Sequence, residues 1–254
     1  MKIITLFCSL ILVLSACTHT SSDISAGSRD YYENSYLLSC DYQNAVIDAV
    51  IPAQSRIYNG LTEIKSPEDN SQQEWITVNN KKMVLVTTLI KEEVLKYWMS
   101  NDAFTVKVDC WVSVPSEWKK FKDEFAGLND KAKKIRMLQL LGMPGDSTNS
   151  VMVEFYADAE SVFRPSKDRE TCDRVASLEF PANTDSEYRK WFEEQKDRAY
   201  KSSPGFPFTQ LGYSYEWNHY SKNNIGLSEF VVPKGTLVKV KNRLNYQDFI
   251  KEIR

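Results

Sequence analysis

The chain has 254 residues and a formal net charge of −2, and 42% of its residues are hydrophobic. This length suits one or two globular domains and supplies enough apolar material for a buried core. Acidic and basic residues are mixed along the whole chain and form no basic stripe, which excludes the charge pattern typical of nucleic-acid-binding proteins. We therefore predict no nucleic-acid partner.

The first 16 residues have the pattern of a secretory signal peptide. Lys2 is followed by the apolar run IITLFCSLILVL, which fits the roughly 7–15 residues of such a signal and is shorter than the about 20 that span a bilayer. The run ends in Leu14-Ser15-Ala16-Cys17, which resembles the lipobox of bacterial lipoproteins. The resemblance implies cleavage before Cys17 and lipid on its thiol. The alternative is an ordinary cleaved signal with a chance cysteine.

Lipid on Cys17 would hold the mature chain to a membrane, because two or more acyl chains anchor stably where one does not. Thr18 stands where bacterial lipoproteins of the inner membrane carry an aspartate, so the resemblance favours the outer membrane. Residues 17–29 are mostly small and polar and predict a flexible tether. Since no second long apolar segment follows, we expect residues 30–254 to form one soluble globular domain.

The predicted domain contains Cys40, Cys110 and Cys172. Export permits disulfides, and these thiols allow one bridge in any of three pairings, with one thiol left over. No Cys-x-x-Cys spacing occurs, so the sequence indicates neither a redox motif nor a structural zinc site.

Strand and helix patterns are interspersed along the chain without a regular βαβ rhythm. They predict, in order, a partly helical stretch within 31–50, a short strand at 56–61, a hairpin of 75–78 and 83–90, a helical turn or two at 91–99, a strand at 104–114, helices at 117–126 and 131–141, a strand at 152–156, a helix at 185–200, an aromatic strand at 213–217, and strands at 225–232 and 237–240. The fold class predicted is α+β, with a mainly antiparallel sheet and about three packed helices in a single domain.

Three of these elements carry specific expectations. Alternation over 104–114 places Cys110 on the apolar face of a half-buried strand. Asp130 is expected to cap the helix at 131–141. The spacing Thr184-x-x-Glu187 matches a capping box and predicts the start of the helix at 185–200.

The second half of the chain contains the blocks WVSVP (111–115), LQLLGMP (138–144), FRP (163–165), FPFTQLGYSYEW (206–217) and IGLSEF (225–230). With these blocks the chain resembles a family of uncharacterised bacterial secreted proteins and lipoproteins, over a little more than half its length. That family usually carries Trp at the position of Phe208 and Arg at that of Gln210, and the missing arginine weakens any ionic role there. No activity is established for the family, so the resemblance implies relatedness and no function.

Histidine is scarce, because the chain contains only His19 and His219. His19 lies two residues from the predicted lipid site, so a Ser-His-Asp or Cys-His centre would need His219. We favour a surface or turn position for His219. A histidine-based zinc site is not expected and no cofactor is predicted, although carboxylates could bind calcium or magnesium.

Several carboxylates lie on or near predicted strands. They are Glu154, Asp158, Glu179, Glu216 and Glu229. A pair roughly 5–9 Å apart would suit glycoside hydrolysis. Glu229 is the leading candidate because it interrupts the apolar run IGLSEFVV, and Glu216 is the second. A strand with one solvent-facing side also explains Glu229, and we favour that interpretation.

Arg56 and Arg164 each precede a turn. Either could bind an anionic ligand, and either could hold a loop by donating hydrogen bonds to carbonyl groups. We favour the loop role for both.

Tyr213, Tyr215 and Trp217 alternate along the aromatic strand. Together with other nearby rings they could form a stacking platform for sugars. The other rings are Trp191, Phe206 and Phe208. We favour a core position instead, covered by Tyr188 and Trp191 of the preceding helix.

Two functional hypotheses follow from the sequence. The first is a membrane-anchored, non-enzymatic protein that binds a glycan or protein ligand or associates with the cell envelope, with Trp217, Tyr215, Tyr213 and Arg164 as candidate binding residues. The second is a hydrolase of an envelope or external polymer, with Glu229, Glu216 and His219 as candidate catalytic residues. Two carboxylates converging in a cleft beside exposed aromatics would favour the enzyme.

Overall fold

The computed structural model describes residues 29–68, 72–203 and 205–253. The predicted signal peptide, the lipobox with Cys17 and all but the last residue of the predicted tether lie outside these residues. The α-helices are α1 (Arg29–Glu33), α2 (Ser35–Asp48), α3 (Asp130–Leu140), α4 (Ser186–Lys201) and α5 (Tyr246–Glu252). The 3₁₀ helices span Gln54–Arg56, Glu92–Trp98 and Pro115–Phe125.

The strands are β1 (Trp75–Val78), β2 (Lys81–Ile90), β3 (Phe104–Thr105), β4 (Cys110–Val112), β5 (Val151–Asp158), β6 (Tyr213–Tyr215), β7 (Ile225–Ser228), β8 (Phe230–Val232) and β9 (Leu237–Asn245). The main sheet has the order β1-β2-β5-β9-β3, and all its pairs are antiparallel. Two smaller antiparallel sheets pair β4 with β8 and β6 with β7. The predicted α+β class, with a mainly antiparallel sheet in one globular domain, is confirmed.

The predicted hairpin is confirmed as β1 and β2. Asn79 and Asn80 connect the strands with φ of 50° and 62°. Both values lie in the left-handed region that a type I′ turn requires, and asparagine tolerates it better than most residues.

The continuous strand predicted over 104–114 is wrong. Its first part, β3, pairs with β9, whereas β4 pairs with β8 in a different sheet. Because one straight strand cannot serve both partners, the chain bends between them, and Val108 is exposed there. The strand predicted over 225–232 divides for the same reason, since β7 pairs with β6 and β8 with β4 on either side of Glu229.

Cys110 lies at the start of β4 and packs against the apolar core, as expected, although the strand is shorter than predicted. Its side chain is half-buried at the start of β4, and burial raises the pKa of its thiol to about 12. Cys40 is buried and Cys172 is exposed, and none of the three predicted pairings among Cys40, Cys110 and Cys172 forms a disulfide.

Two predicted helices are confirmed as α3 and α4, and each N-cap differs from the prediction by one residue. Asn129 caps α3 by accepting from the Ala132 N–H at 2.9 Å, and Asp185 caps α4 by accepting from the Tyr188 N–H at 2.7 Å. Both caps are extended and directly precede the first helical residue, which is the geometry that capping requires.

Other local predictions need correction. The segment predicted as a helix at 117–126 is the 3₁₀ helix 115–125, and 91–99 likewise contains a 3₁₀ helix. No strand forms at 56–61, where a single backbone hydrogen bond joins Leu61 to Arg174. α1 starts at Arg29, the last residue of the predicted tether.

The main sheet is apolar on both faces. One face packs Val86, Val153 and Phe155 against Trp98 and Phe230. The other contacts α3, α5 and the 3₁₀ helix 115–125, whose Trp118 meets Phe249 edge to face with ring centroids 5.2 Å apart. In the part of the chain that the structure describes, no helix combines the length and apolar character needed to cross a membrane.

Candidate functional site

The loop that follows β6 is bordered by several cavities. We call residues 218–224 the β6 loop. It is closed at its base by Glu216, whose N–H donates to the Asn224 carbonyl at 3.0 Å and whose carbonyl accepts from the Asn224 side chain at 3.0 Å. Asn224 itself has a φ of 56°. Two side chains hold the interior of the loop. Asn218 accepts a hydrogen bond from the Tyr220 N–H, and the Ser221 hydroxyl accepts one from the Asn224 N–H.

Three adjoining cavities surround the β6 loop, and together we call them the loop groove. Their volumes are about 780, 440 and 90 Å³. Asn218 and Ser221 line both larger cavities, and Asn224 lines the 440 and 90 Å³ cavities. Most sequence candidates lie here: Glu216 on the largest cavity, Trp217 and His219 on the second, Tyr215 on the second and third, and Tyr213 on the third.

Arg136 of α3 organises the largest cavity. Its side chain is buried and contacts two carboxylates, because Nε donates to Glu124 at 2.7 Å and Nη2 donates to both Glu124 and Glu216. Burial alone would lower the pKa of Arg136, but the charges of Glu216 and Glu124 outweigh it and raise that pKa. The guanidinium therefore stays charged and fills the space between the two carboxylates.

Glu216 and Glu117 of this cavity have further donors. Glu216 accepts from the Ser221 hydroxyl at 2.6 Å. Glu117 is buried and accepts from the Ser228 N–H at 2.9 Å, the Ser228 hydroxyl at 3.0 Å and Lys120 at 3.2 Å. The charged residues on this wall are three acids and three bases, so their charges balance.

A buried polar chain connects the two larger cavities. Asn218 and Arg136 both donate to Gln139 Oε1, Gln139 donates to the Tyr31 hydroxyl at 3.0 Å, and Tyr31 donates to Asp41 at 2.9 Å. Burial is the main cause of the raised pKa of Tyr31. At the far end, His219 Nδ1 lies 3.3 Å from Asp41 Oδ1. The His219 ring is 42% exposed, which is the surface position expected from the sequence.

The aromatic strand is core, as favoured, but a different helix covers it. Trp217 packs against Tyr42 of α2 edge to face, with centroids 5.7 Å apart, and donates to the Met143 carbonyl at 2.8 Å. Tyr215 joins the same cluster, whereas Tyr213 lies in a separate one with Leu61. The expectation that Tyr188 and Trp191 of α4 cover this strand is wrong, because α1 and α2 occupy that position.

Arg164 lies elsewhere and has no exposed surface. Its guanidinium donates to the Asp173 carboxylate at 2.6 Å and to the carbonyls of Asp173, Val175 and Thr62. It binds loop backbone, which is the role favoured from the sequence. Arg56 behaves similarly at the surface, donating to the carbonyl and carboxylate of Asp48.

Glu229 lies at the break between β7 and β8, outside the loop groove. It is partly buried, and this burial raises the pKa of its carboxyl to about 8. Its backbone N–H donates to the Gly212 carbonyl at 2.9 Å. The structure therefore does not bring the two candidate catalytic carboxylates, Glu229 and Glu216, together in one cleft.

Three acidic side chains of the loop after β5 come close enough to suggest a cation site. One oxygen each from Asp168, Glu170 and Asp173 lies within 4.8 Å of the others. Asp173 is already paired with the buried Arg164, so this cluster has its countercharge within the protein.

Sequence reasoning missed Arg136, Glu117 and Glu124. The available signal lay on one face of the predicted helix, which is shared by Ala132, Ile135, Arg136 and Gln139. Arg136 and Gln139 are polar residues on this buried face, and buried polar side chains need hydrogen-bond partners. No pattern in the sequence linked Arg136 to Glu216, because the two residues come together only in the folded chain.

No family model matches the chain, and no significantly similar protein was found among curated proteins or solved structures.

Proposed function

We propose that the chain is an exported, lipid-anchored binding protein whose domain takes a polar, ring-containing ligand, a glycan, in the loop groove. The single observation that carries the ligand assignment is the composition of the 780 Å³ cavity, where aromatic rings and amides surround balanced charges. Anchoring rests on the sequence Leu14-Ser15-Ala16-Cys17 and on the resemblance to secreted proteins and lipoproteins.

A glycan suits this surface because its hydroxyls donate and accept hydrogen bonds while its ring faces are apolar. The cavity offers the rings of Tyr58, Phe121 and Tyr220 for stacking, and the exposed amide of Asn223 for hydroxyls. Its volume lies within the roughly 300–1,000 Å³ of ordinary ligand sites. Balanced charge favours a neutral ligand over an anion or a cation.

The same geometry disfavours the hydrolase. A glycosidase needs a sugar between its two carboxyl groups, roughly 5–9 Å apart. Between Glu124 and Glu216 that space holds the Arg136 guanidinium, and Glu216 also accepts from Ser221. Proton transfer from either acid would require breaking its ion pair with the buried Arg136 guanidinium. Binding is therefore the function that the site supports better.

The ligand assignment is tested with a glycan array probed with the mature protein in detergent. Positive glycans are then titrated against Tyr220→Ala and Asn223→Ala, which remove a ring and an amide from the cavity wall without disturbing Arg136. Tyr97→Ala is the matched control, because Tyr97 is 68% exposed and does not line the groove. We expect both groove variants to lose at least tenfold in affinity. Absence of any glycan ligand, or equal binding by all variants, would contradict the assignment.

The anchor is tested separately by metabolic labelling with a palmitate analogue. The wild-type chain should incorporate the label and Cys17→Ala should not. Equal labelling of the two chains would show that Cys17 is not the lipidated residue.

A further inference from the structure

A separate cavity, of about 320 Å³, lies between the main sheet, the 3₁₀ helix 115–125 and α5. It shares no lining residue with the loop groove. We call it the bulge pocket. Its polar wall is formed by Gln73, Glu74, Lys119, Glu154, Lys241, Asn242 and Glu252, and its apolar wall includes Leu85, Val114, Phe249 and Ile253.

A β-bulge shapes the polar wall. Glu154 of β5 pairs with Asn242 of β9, but the next residue, Phe155, pairs with Val240, so Lys241 is an extra residue without a partner. Side chains of successive residues in a regular strand point to opposite faces. Here Lys241 and Asn242 both line the same cavity. Bulges commonly redirect side chains next to functional sites.

Glu154 is the central group of this wall. It lies on an interior strand, is 9% exposed, and accepts from the Asn242 side chain at 2.8 Å. Among the described residues no cation lies within ion-pair distance of it, since Lys241 pairs instead with Glu74 at 2.5 Å. A buried carboxylate is costly unless a positive charge or several donors accompany it.

Gln73 adds an independent observation. Its side chain lines the pocket and is 7% exposed, and its Nε2 donates to the Glu63 carbonyl. Its Oε1 is buried and finds no donor within the described residues. A buried acceptor of this kind normally has a hydrogen-bond partner, so the wall that carries Glu154 also carries a residue with an unsatisfied acceptor.

The charge and shape of the pocket define the class of its ligand. Glu74, Glu154 and Glu252 oppose Lys119 and Lys241, which leaves one negative charge uncompensated. Glu154 belongs to no group of three acidic ligands close enough to surround a metal ion in the described structure. A cation with N–H donors on an aliphatic stem fits better, because its head can reach the acceptors while its stem contacts Leu85 and Phe249.

We propose that the bulge pocket binds an alkylammonium or alkylguanidinium group, with Glu154 as its counter-ion and Gln73 as an additional acceptor. This inference is independent of the glycan assignment, because the two sites share no residue.

Isothermal titration calorimetry of the full mature protein with n-butylammonium chloride tests the proposal. n-Butylguanidinium chloride distinguishes a lysine-like from an arginine-like head group, and tetramethylammonium chloride supplies the same charge without an N–H donor. We expect saturable binding of at least one of the first two and none of the third. Absence of saturable binding by both butyl compounds, or equal binding of tetramethylammonium, would overturn the proposal.

Variants then locate the site. Glu154→Gln keeps an acceptor for Asn242 and removes the charge, so we expect a normal fold and at least tenfold weaker binding. Glu252→Gln, at an exposed position that cannot compromise folding, should weaken binding roughly twofold to fivefold, as expected for an exposed ion pair. Glu160→Gln is the control, because Glu160 is exposed and lies outside the pocket. Wild-type affinity in both Glu154→Gln and Glu252→Gln would refute the assignment.

Discussion

Replacing Trp217 with alanine tests whether the aromatic strand is structural. The indole is 2% exposed, packs against Tyr42 and donates to the Met143 carbonyl. A buried tryptophan removes about 150–250 Å² from water, which corresponds to about 4–6 kcal/mol at about 25 cal/mol per Å². Alanine retains a small part of that area, and truncations of this kind cost about 3–5 kcal/mol. We therefore expect Trp217→Ala to lower the free energy of unfolding by about 4 kcal/mol.

For a domain of this size each kcal/mol changes the melting temperature by roughly 2–4 °C. Differential scanning calorimetry should therefore find Trp217→Ala melting about 8–16 °C below wild type. Trp217→Phe keeps one six-membered aromatic ring but loses the pyrrole part of the indole and the bond to Met143, so its melting temperature should fall by a smaller amount. Tyr97→Ala, at an exposed position, should melt close to wild type. If Trp217→Ala melted within about 2 °C of wild type, the core assignment would be refuted, and direct stacking of a ligand on Trp217 would become the better explanation.

Three further outcomes are expected. Arg136→Met leaves Glu216 buried without its cation and should lower the free energy of unfolding by about 3–5 kcal/mol. The double variant Arg136→Met/Glu216→Gln should recover part of that loss in urea titrations. A loss no smaller in the double variant would contradict the role of the pair. Glu229 has a pKa of about 8 in the folded chain and about 4.3 when unfolded, so the folded state binds more protons between these values and stability should fall as pH rises through that window. Glu229→Gln should abolish this dependence in melts recorded from pH 5 to 8, and parallel curves for variant and wild type would argue against the raised pKa. Iodoacetamide should alkylate Cys172 in the native protein well before Cys40 or Cys110, because Cys172 alone among them is exposed; mass spectrometry showing equal rates would contradict the described burial.

Local features of the fold could be predicted from the sequence. The Asn79-Asn80 turn and the apolar stripes of α3 and α4 depend on neighbouring residues, so the pattern alone predicted the hairpin and both helices. The strand at 104–114 could not be predicted in the same way. Its alternation is real, but its division depends on whether β8 or β9 is the partner, and both partners lie more than a hundred residues later in the chain.

The candidate site was predictable to a similar extent. Aromatic alternation pointed to β6, and the residues next to it, Glu216 and His219, do line the loop groove. The sequence did not link Glu216 to the cation that neutralises it, because Arg136 lies on α3, 80 residues earlier in the chain. It also could not indicate that α2 rather than α4 covers Trp217, since proximity along the chain favoured α4.

The position of β9 has a consequence for the order in which the molecule can assemble. This strand is near the end of the chain, yet it lies between β5 and β3 in the interior of the main sheet. Residues 159–236 must all be synthesised before β5 can acquire that neighbour, and closing so long a loop slows folding. Until then β5 presents an unpaired edge. A nascent chain would therefore keep this edge of β5 unpaired until residues 237–245 had been synthesised.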